Sequence, residues 1–418
     1  MKSKQGTDCR LLIAGVETMK INVKTLVLNI SLVCMLALCV FSPLYRYQKM
    51  VLILGCFLLW FLGTMQIDIH WVKQAIPSLA YLGVMLFLYL WRGIAMGDVV
   101  SSVNLMINQM PLYIWFVILE FYLYSKIPTK TVIVAFFTLF LITVYFTIVG
   151  NLENPDASRT LATTLTYYAE QREQYRAAFI GGFDIVYGAV FLAMPLTLLA
   201  RRHKWIWGII TALFVMVVIS SYTTALIFII FMIICGVTKV KNIWSLALIF
   251  GVVFLLAKIF EQDILDWVND LAEDLGSEIL AKRVTSLLTG EYVSEFGDNS
   301  NRLTIYYNTI LNWLDHPIFG NLMTEVKEYR RSGHSTLLDY LEEFGLFSIV
   351  FYAYLKRYYV VVKQSLSSEY GKMFGVYFVL VVLFGLINRF DTALAFGVCT
   401  FFVAPALFVI ADRERTRQ

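Results

Sequence analysis

Apolar stretches of near-bilayer length alternate with short polar connections along the whole chain, and that alternation restricts it to folds built within a membrane. The apolar runs fall at 25–42, 50–66, 76–91, 109–125, 131–149, 183–200, 205–220, 222–237, 243–260, 344–360, 373–388 and 392–411. Each approaches the ~20 residues that a helix needs to cross hydrocarbon. Composition agrees, with 59% hydrophobic and only 15% charged residues, against roughly 25% charged in a soluble domain. A soluble chain this apolar would expose large patches and aggregate. The expectation is an all-α polytopic membrane protein of about twelve transmembrane helices.

Two neighbouring runs, 205–220 and 222–237, read as separate helices because Ser220, Ser221, Thr223 and Thr224 around Tyr222 make a polar hairpin between them. The first run lacks a small-residue cleavage site and meets Pro43, which favours an uncleaved first span. Five of the six cysteines lie in or beside apolar runs and none forms a Cys-x-x-Cys pair, so neither a disulfide framework nor a thiolate metal site is indicated. The formal charge of +4 is small and calls for no nucleic-acid partner.

The distribution of positive charge sets an orientation. With the N-terminus inside, the inner connections hold Lys73, Lys126, Lys130, Arg201, Arg202, Lys204, Lys239, Lys241, Lys356 and Lys372, and the tail adds Arg413, Arg415 and Arg417. The short outer connections hold only Arg46, Lys49, Arg92 and Arg389. The expected organisation is therefore a cytoplasmic segment 1–24, spans over 25–260 that include an outer loop at 150–182, a large outer loop at 261–343, spans over 344–411, and a cytoplasmic tail at 412–418.

Chemistry other than packing is expected in the outer loops. The large loop opens acidic (Glu261, Asp263, Asp266, Asp270, Glu273, Asp274), which reads as a solvated helical face. Asp298, Asn299, Ser300 and Asn301 are N-cap residues, and Leu303, Tyr306, Tyr307, Ile310, Leu311 and Leu314 then recur with helical period until Asp315-His316-Pro317. Arg302 at that helix start opposes the helix dipole, which is an odd choice for stability unless an anion sits there too. A second helix starts near Ser332–Thr336, with Leu337, Leu338, Leu341 and Phe344 as its apolar positions. His334 and Ser335 mark this start just after Arg330 and Arg331, so free N–H groups, hydroxyls and arginines together favour a phosphate. Arg176 precedes Gly181-Gly182 at the membrane edge, where phosphate contact and snorkelling to lipid headgroups both fit.

Taken in order, Arg302, Trp313, Pro317, Gly320, His334-Ser335, Leu338 and Gly345 resemble the large-loop signature of the O-antigen polymerase and ligase superfamily. Arg176 before Gly181-Gly182 resembles that family's preceding loop, and Ser220-Ser221 its serine-rich turn, although Tyr222 stands where many members have arginine. The resemblance spans roughly 170–390. It implies a GT-C-like, inverting glycosyltransferase of the bacterial inner membrane that needs neither metal nor other cofactor and works at the periplasmic face. The implied donor and acceptor are saccharides linked to undecaprenyl diphosphate, with the lipid bilayer as surroundings and a chain-length regulator as a candidate partner. His334 would be the base for the acceptor hydroxyl. Arg176 and Arg302 would stabilise the departing diphosphate, and Arg330, Arg331, Arg389 and Ser335 would contact phosphate or sugar. A polymerase of lipid-linked repeat units is favoured. A ligase to lipid A core is the alternative, and a flippase of lipid-linked sugars fits the helix count as well.

Overall fold

The computed structural model describes residues 23–47, 52–53, 55–56, 58–59, 69–103, 106, 129–162, 168–275, 302–323, 335–390 and 393–416. Among these every regular element is helical. The main helices are α1 (Val23–Val40), α2 (Ile69–Ala95), α3 (Thr129–Glu153), α4 (Ala169–Ala177), α5 (Phe183–Ala200), α6 (Ile206–Ile219), α7 (Thr223–Thr238), α8 (Ile243–Ile259), α9 (Glu261–Leu275), α10 (Arg302–Asp315), α11 (Thr336–Phe344), α12 (Ser348–Gln364), α13 (Ser368–Ile387), α14 (Leu394–Gly397) and α15 (Ala404–Thr416).

Four stretches are long and apolar enough to cross a bilayer: Val132–Glu153, Phe183–Ala200, Ser368–Ile387 and Leu394–Arg415. A fifth exists if α8 and the start of α9, bent by 78° at their junction, count as one. The protein is thus a helical membrane protein in its described parts, and these parts alone do not reach twelve spans. The runs expected at 50–66 and 109–125 lie largely outside the described residues. At 14 and 16 residues, α6 and α7 are short, covering ~21–24 Å at 1.5 Å per residue against ~30 Å of hydrocarbon. The run expected at 344–360 falls on α12, where Lys356 and Arg357 interrupt the apolar sequence.

Helix α5 is apolar on all sides and buried almost end to end, which is how such a sequence behaves at the centre of a bundle. It packs against α6, α7, α14 and α15. At its crossing with α7, a Cβ on Gly236 would lie 1.6 Å from the Thr197 hydroxyl, so only glycine permits this approach. Between α6 and α7 the chain breaks at Ser220–Tyr222, with Ser221 at a φ of 55°.

Between α14 and α15 the backbone widens into a π-helical segment, Val398–Val403. Pro405 supplies a reason. It has no N–H for the carbonyl of Phe401, and its ring crowds that carbonyl. Tyrosine hydroxyls from neighbouring helices serve the loosened carbonyls: Tyr377 donates to Thr400 O at 2.9 Å and Tyr358 to Phe401 O at 3.5 Å. Beyond the segment, Asp412 accepts from both the amide and the hydroxyl of Ser367, each at 2.6 Å, tying α15 to the start of α13.

The helix α11 is the least expected element. It is not a peripheral loop helix but is sunk among α2, α10, α12 and α13, with Asp339, Glu342 and Glu343 all buried. Glu342 accepts from Asn312 of α10 at 2.7 Å and from Asn321 at 3.1 Å, while Glu343 accepts from the Tyr89 hydroxyl of α2 at 2.7 Å. Buried carboxylates persist only when hydrogen-bonded in this way. Tyr89→Phe removes one such bond and is expected to lower stability by about 1.5–3 kcal/mol. Thermal unfolding in detergent checks this, and an unchanged melting temperature would discount the bond.

Candidate functional site

The site forms where α11 begins. Ser335, fully buried, caps α11 by accepting from the Leu338 amide at 3.1 Å, and its hydroxyl donates to Gly385 O at 3.2 Å. The Thr336 amide donates to Asn388 O at 3.2 Å, and the Thr336 hydroxyl accepts from the Phe390 amide at 2.8 Å. The start of α11 is thus stitched to the C-terminal end of α13. The Tyr306 hydroxyl of α10 donates to Ile387 O at 3.2 Å, so the first turns of α10 are anchored at the same place.

A second group of side chains joins from the other side. Tyr187 of α5 donates to Asn388 Oδ1 at 3.4 Å and meets the rings of Phe384 and Tyr222 with centroids 4.7 and 5.4 Å apart. The Tyr222 hydroxyl donates to Ser158 O at 3.0 Å. Arg159 lies over the Tyr222 ring, 5.3 Å from its centroid, and donates to Ser221 O at 3.1 Å. Its short helix, Ala157–Thr160, is locked by Asn151, whose amide group donates to the Ser158 hydroxyl at 2.7 Å. The connected set Ser335–Asn388–Tyr187–Tyr222–Arg159 therefore draws on five separate parts of the chain. It offers hydroxyls, a carboxamide and a guanidinium, which suit a polar, anionic ligand and provide no metal cage. No group of His, Cys, Asp and Glu among the described residues has the geometry to hold a metal ion.

The expected site residues divide into three sets. Ser335 lies in the stitched junction, and Arg389, half-buried, follows directly after Asn388. His334, Arg330 and Arg331 lie outside the described residues. The backbone of Arg302 opens α10, one turn before Tyr306, and its side chain is likewise outside them. Arg176 is exposed on α4 and ion-paired with Glu173 at 2.5 Å, and α4 packs on the short helix Ala157–Thr160, which carries Arg159, as well as on the turn Ser42–Tyr47.

Two arginines, Arg159 and Arg92, are not among the site residues expected from the sequence. Arg159 sits in an aperiodic polar stretch that offers no pattern to read. Arg92 carries a signal in the sequence, since it directly follows an apolar run; it is fully buried near the end of α2 and donates to the Ser102 hydroxyl at 2.7 Å. Beside it, the Asp98 carboxyl is held below the usual range, chiefly by hydrogen bonds from Ser101 and then by the Arg92 charge.

Ser335→Ala is expected to cost about 1 kcal/mol through loss of the cap, and it also releases Gly385 O. Melting curves of the variant test the cap, and a stability equal to the native protein would remove this junction as an anchor. Neither a family model nor a curated protein matches this chain.

Proposed function

We propose that the chain is a membrane glycosyltransferase that polymerises undecaprenyl-diphosphate-linked oligosaccharide units into a surface polysaccharide at the periplasmic face of the bacterial inner membrane. The observation that supports this reading is the stitched junction. Ser335, Asn388 and Tyr306 meet at one end of α13, and in the sequence Ser335 directly follows His334, Asn388 directly precedes Arg389, and Tyr306 lies four positions after Arg302. This reading takes about twelve spans and cytoplasmic termini for the whole chain, in a GT-C-like arrangement.

In the reaction, an acceptor sugar hydroxyl attacks the anomeric carbon of the donor. Neutral His334 takes the hydroxyl proton as the new C–O bond forms. The bond to the diphosphate breaks on the opposite face, which inverts the centre, and undecaprenyl diphosphate leaves with its added charge. Arg302 meets that charge with paired N–H donors, needing no metal. Arg330, Arg331 and Arg389 hold the phosphates or sugar. Arg176, paired with Glu173 on α4, joins the site only by exchanging that partner. Arg159, beside Tyr222 on the short helix that α4 packs against, is a second cation for the donor.

The test is extension of a synthetic lipid-linked repeat unit by purified protein in liposomes, together with the surface polysaccharide of a deletion strain. Polymerisation predicts lengthening products in vitro and single-repeat glycolipid in the deletion strain. Bare lipid A core with long lipid-linked chains accumulating would instead identify the ligase. Normal elongation in extracts with a lipid-linked unit trapped inside would identify a flippase.

A further inference from the structure

Helix α10 presents three distinct sectors when its residues are set at about 100° intervals. Ile305, Tyr306, Thr309, Asn312 and Trp313 form the sector packed on the protein, bonded through Tyr306 and Asn312 as described. Thr304, Asn308 and Asp315 form an exposed polar sector. Between them lies a third sector that is apolar and uncovered: Tyr307 is 61% exposed, Ile310 40%, Leu311 39% and Leu314 55%. The uncovered surface continues beyond the helix through Ile318 to Leu346, whose amide donates to Pro317 O and Ile318 O, and on to Ile349 at the start of α12.

A globular protein in water does not leave so continuous an apolar surface bare. Its height along the bundle identifies the cover. Tyr306 is bonded to the last residue of α13, one of the four bilayer-length apolar helices, so α10 lies where that span ends. Next to it, the exposed Trp91 packs on Phe319 with centroids 5.3 Å apart, and tryptophan concentrates at membrane–water boundaries. A helix with protein on one side, an apolar sector on the second and a polar sector on the third matches the corner where protein, hydrocarbon and water meet.

We propose that α10 is a membrane-surface helix, with Tyr307, Ile310, Leu311 and Leu314 immersed in the acyl chains of the leaflet that α13 reaches at Ile387. The proposal rests on the membrane reading of the chain and is independent of the enzymatic one. The backbone of Arg302 is then held at headgroup depth, where the diphosphate of any lipid-linked substrate lies.

The experiment uses the full-length protein in phosphatidylethanolamine–phosphatidylglycerol liposomes. Single nitroxide side chains, attached through a genetically encoded azido residue so that the native cysteines stay, are placed at Leu311, Leu314, Thr304 and Asn308. A further label at Ile142, exposed within the apolar stretch of α3, serves as the hydrocarbon reference. Collision with oxygen, which concentrates in hydrocarbon, is compared with collision with a water-soluble nickel chelate. The expected result is an oxygen-to-nickel ratio at 311 and 314 several-fold above that at 304 and 308 and close to that at 142. Ratios at 311 and 314 equal to those at 304 and 308, with 142 still oxygen-rich, overturn the proposal and leave the membrane reading standing. Shielding of 311 and 314 from both reagents overturns it in favour of a second copy or another protein. A nickel-accessible 142 overturns both.

Discussion

Gly345→Ala is expected to destabilise the protein by roughly 2–6 kcal/mol, combining backbone strain with a collision. Gly345 has φ 53° and ψ −128°, a region that residues with a Cβ avoid. A Cβ built there lies 2.6 Å from both the Gly320 amide nitrogen and Pro317 O, and these are backbone atoms that cannot swing aside. The contact is mutual: a Cβ on Gly320, itself at φ 62°, lies 2.4 Å from the Glu343 carbonyl. Two glycines from distant parts of the chain thus let the turn after α10 touch the end of α11 backbone to backbone. The loss is a large share of the ~5–15 kcal/mol that typically holds a fold together. Melting in detergent, or the fraction recovered folded after extraction, measures it. Gly208→Ala is the control, because nothing lies within 4 Å of a Cβ there. If the two variants melt alike, the close approach of the two segments is not a feature of the folded protein.

His334→Ala should lower the rate of repeat-unit extension by about 10²–10⁴-fold, the usual contribution of a positioned general base. Arg302→Ala should cost about 10²–10³-fold, as expected for loss of one group that meets charge developing on the leaving diphosphate. The pH profile separates these roles. A base must be neutral, so the native rate should fall as pH drops through ~6.5, the ordinary imidazole value. Arg302→Ala should keep that inflection at a lower plateau, and His334→Ala should lose it. Extension by both variants at the native rate, with protein folded by its melting curve, would exclude the catalytic assignment.

The local structure of the loop helices was legible in the sequence. The N-cap run and apolar period place a helix from Arg302 to Asp315, and α10 spans those residues. The break at Ser220–Tyr222 was equally readable from its cluster of hydroxyls. The outward or inward sense of each face was not. Of the apolar stripe of α10, Tyr307, Ile310, Leu311 and Leu314 are exposed while Tyr306 turns inward, because in a membrane protein an apolar residue can face lipid as readily as core, and period alone does not distinguish them. Glu342 and Glu343 carried the opposite ambiguity: adjacent acids suggest a surface, yet Tyr89, Asn312 and Asn321, from elements distant in the chain, make their burial tolerable. Gly320 and Gly345 stood out as letters in a pattern. Their physical reason, a backbone contact across 25 positions, exists only in three dimensions. Arg159 had no sequence signal, since its role depends on which ring lies beneath it.

The widened segment at Val398–Val403 sets the direction in which the last helix leaves the bundle. A π segment is equivalent to one residue added to an α-helix, with everything downstream turned by about 100°. A chain shortened by one residue in that segment would aim α15 differently, and Asp412 would miss Ser367. The tyrosines at 358 and 377 serve the carbonyls that the extra residue leaves loosened, so the aim of α15 depends on side chains from two other helices.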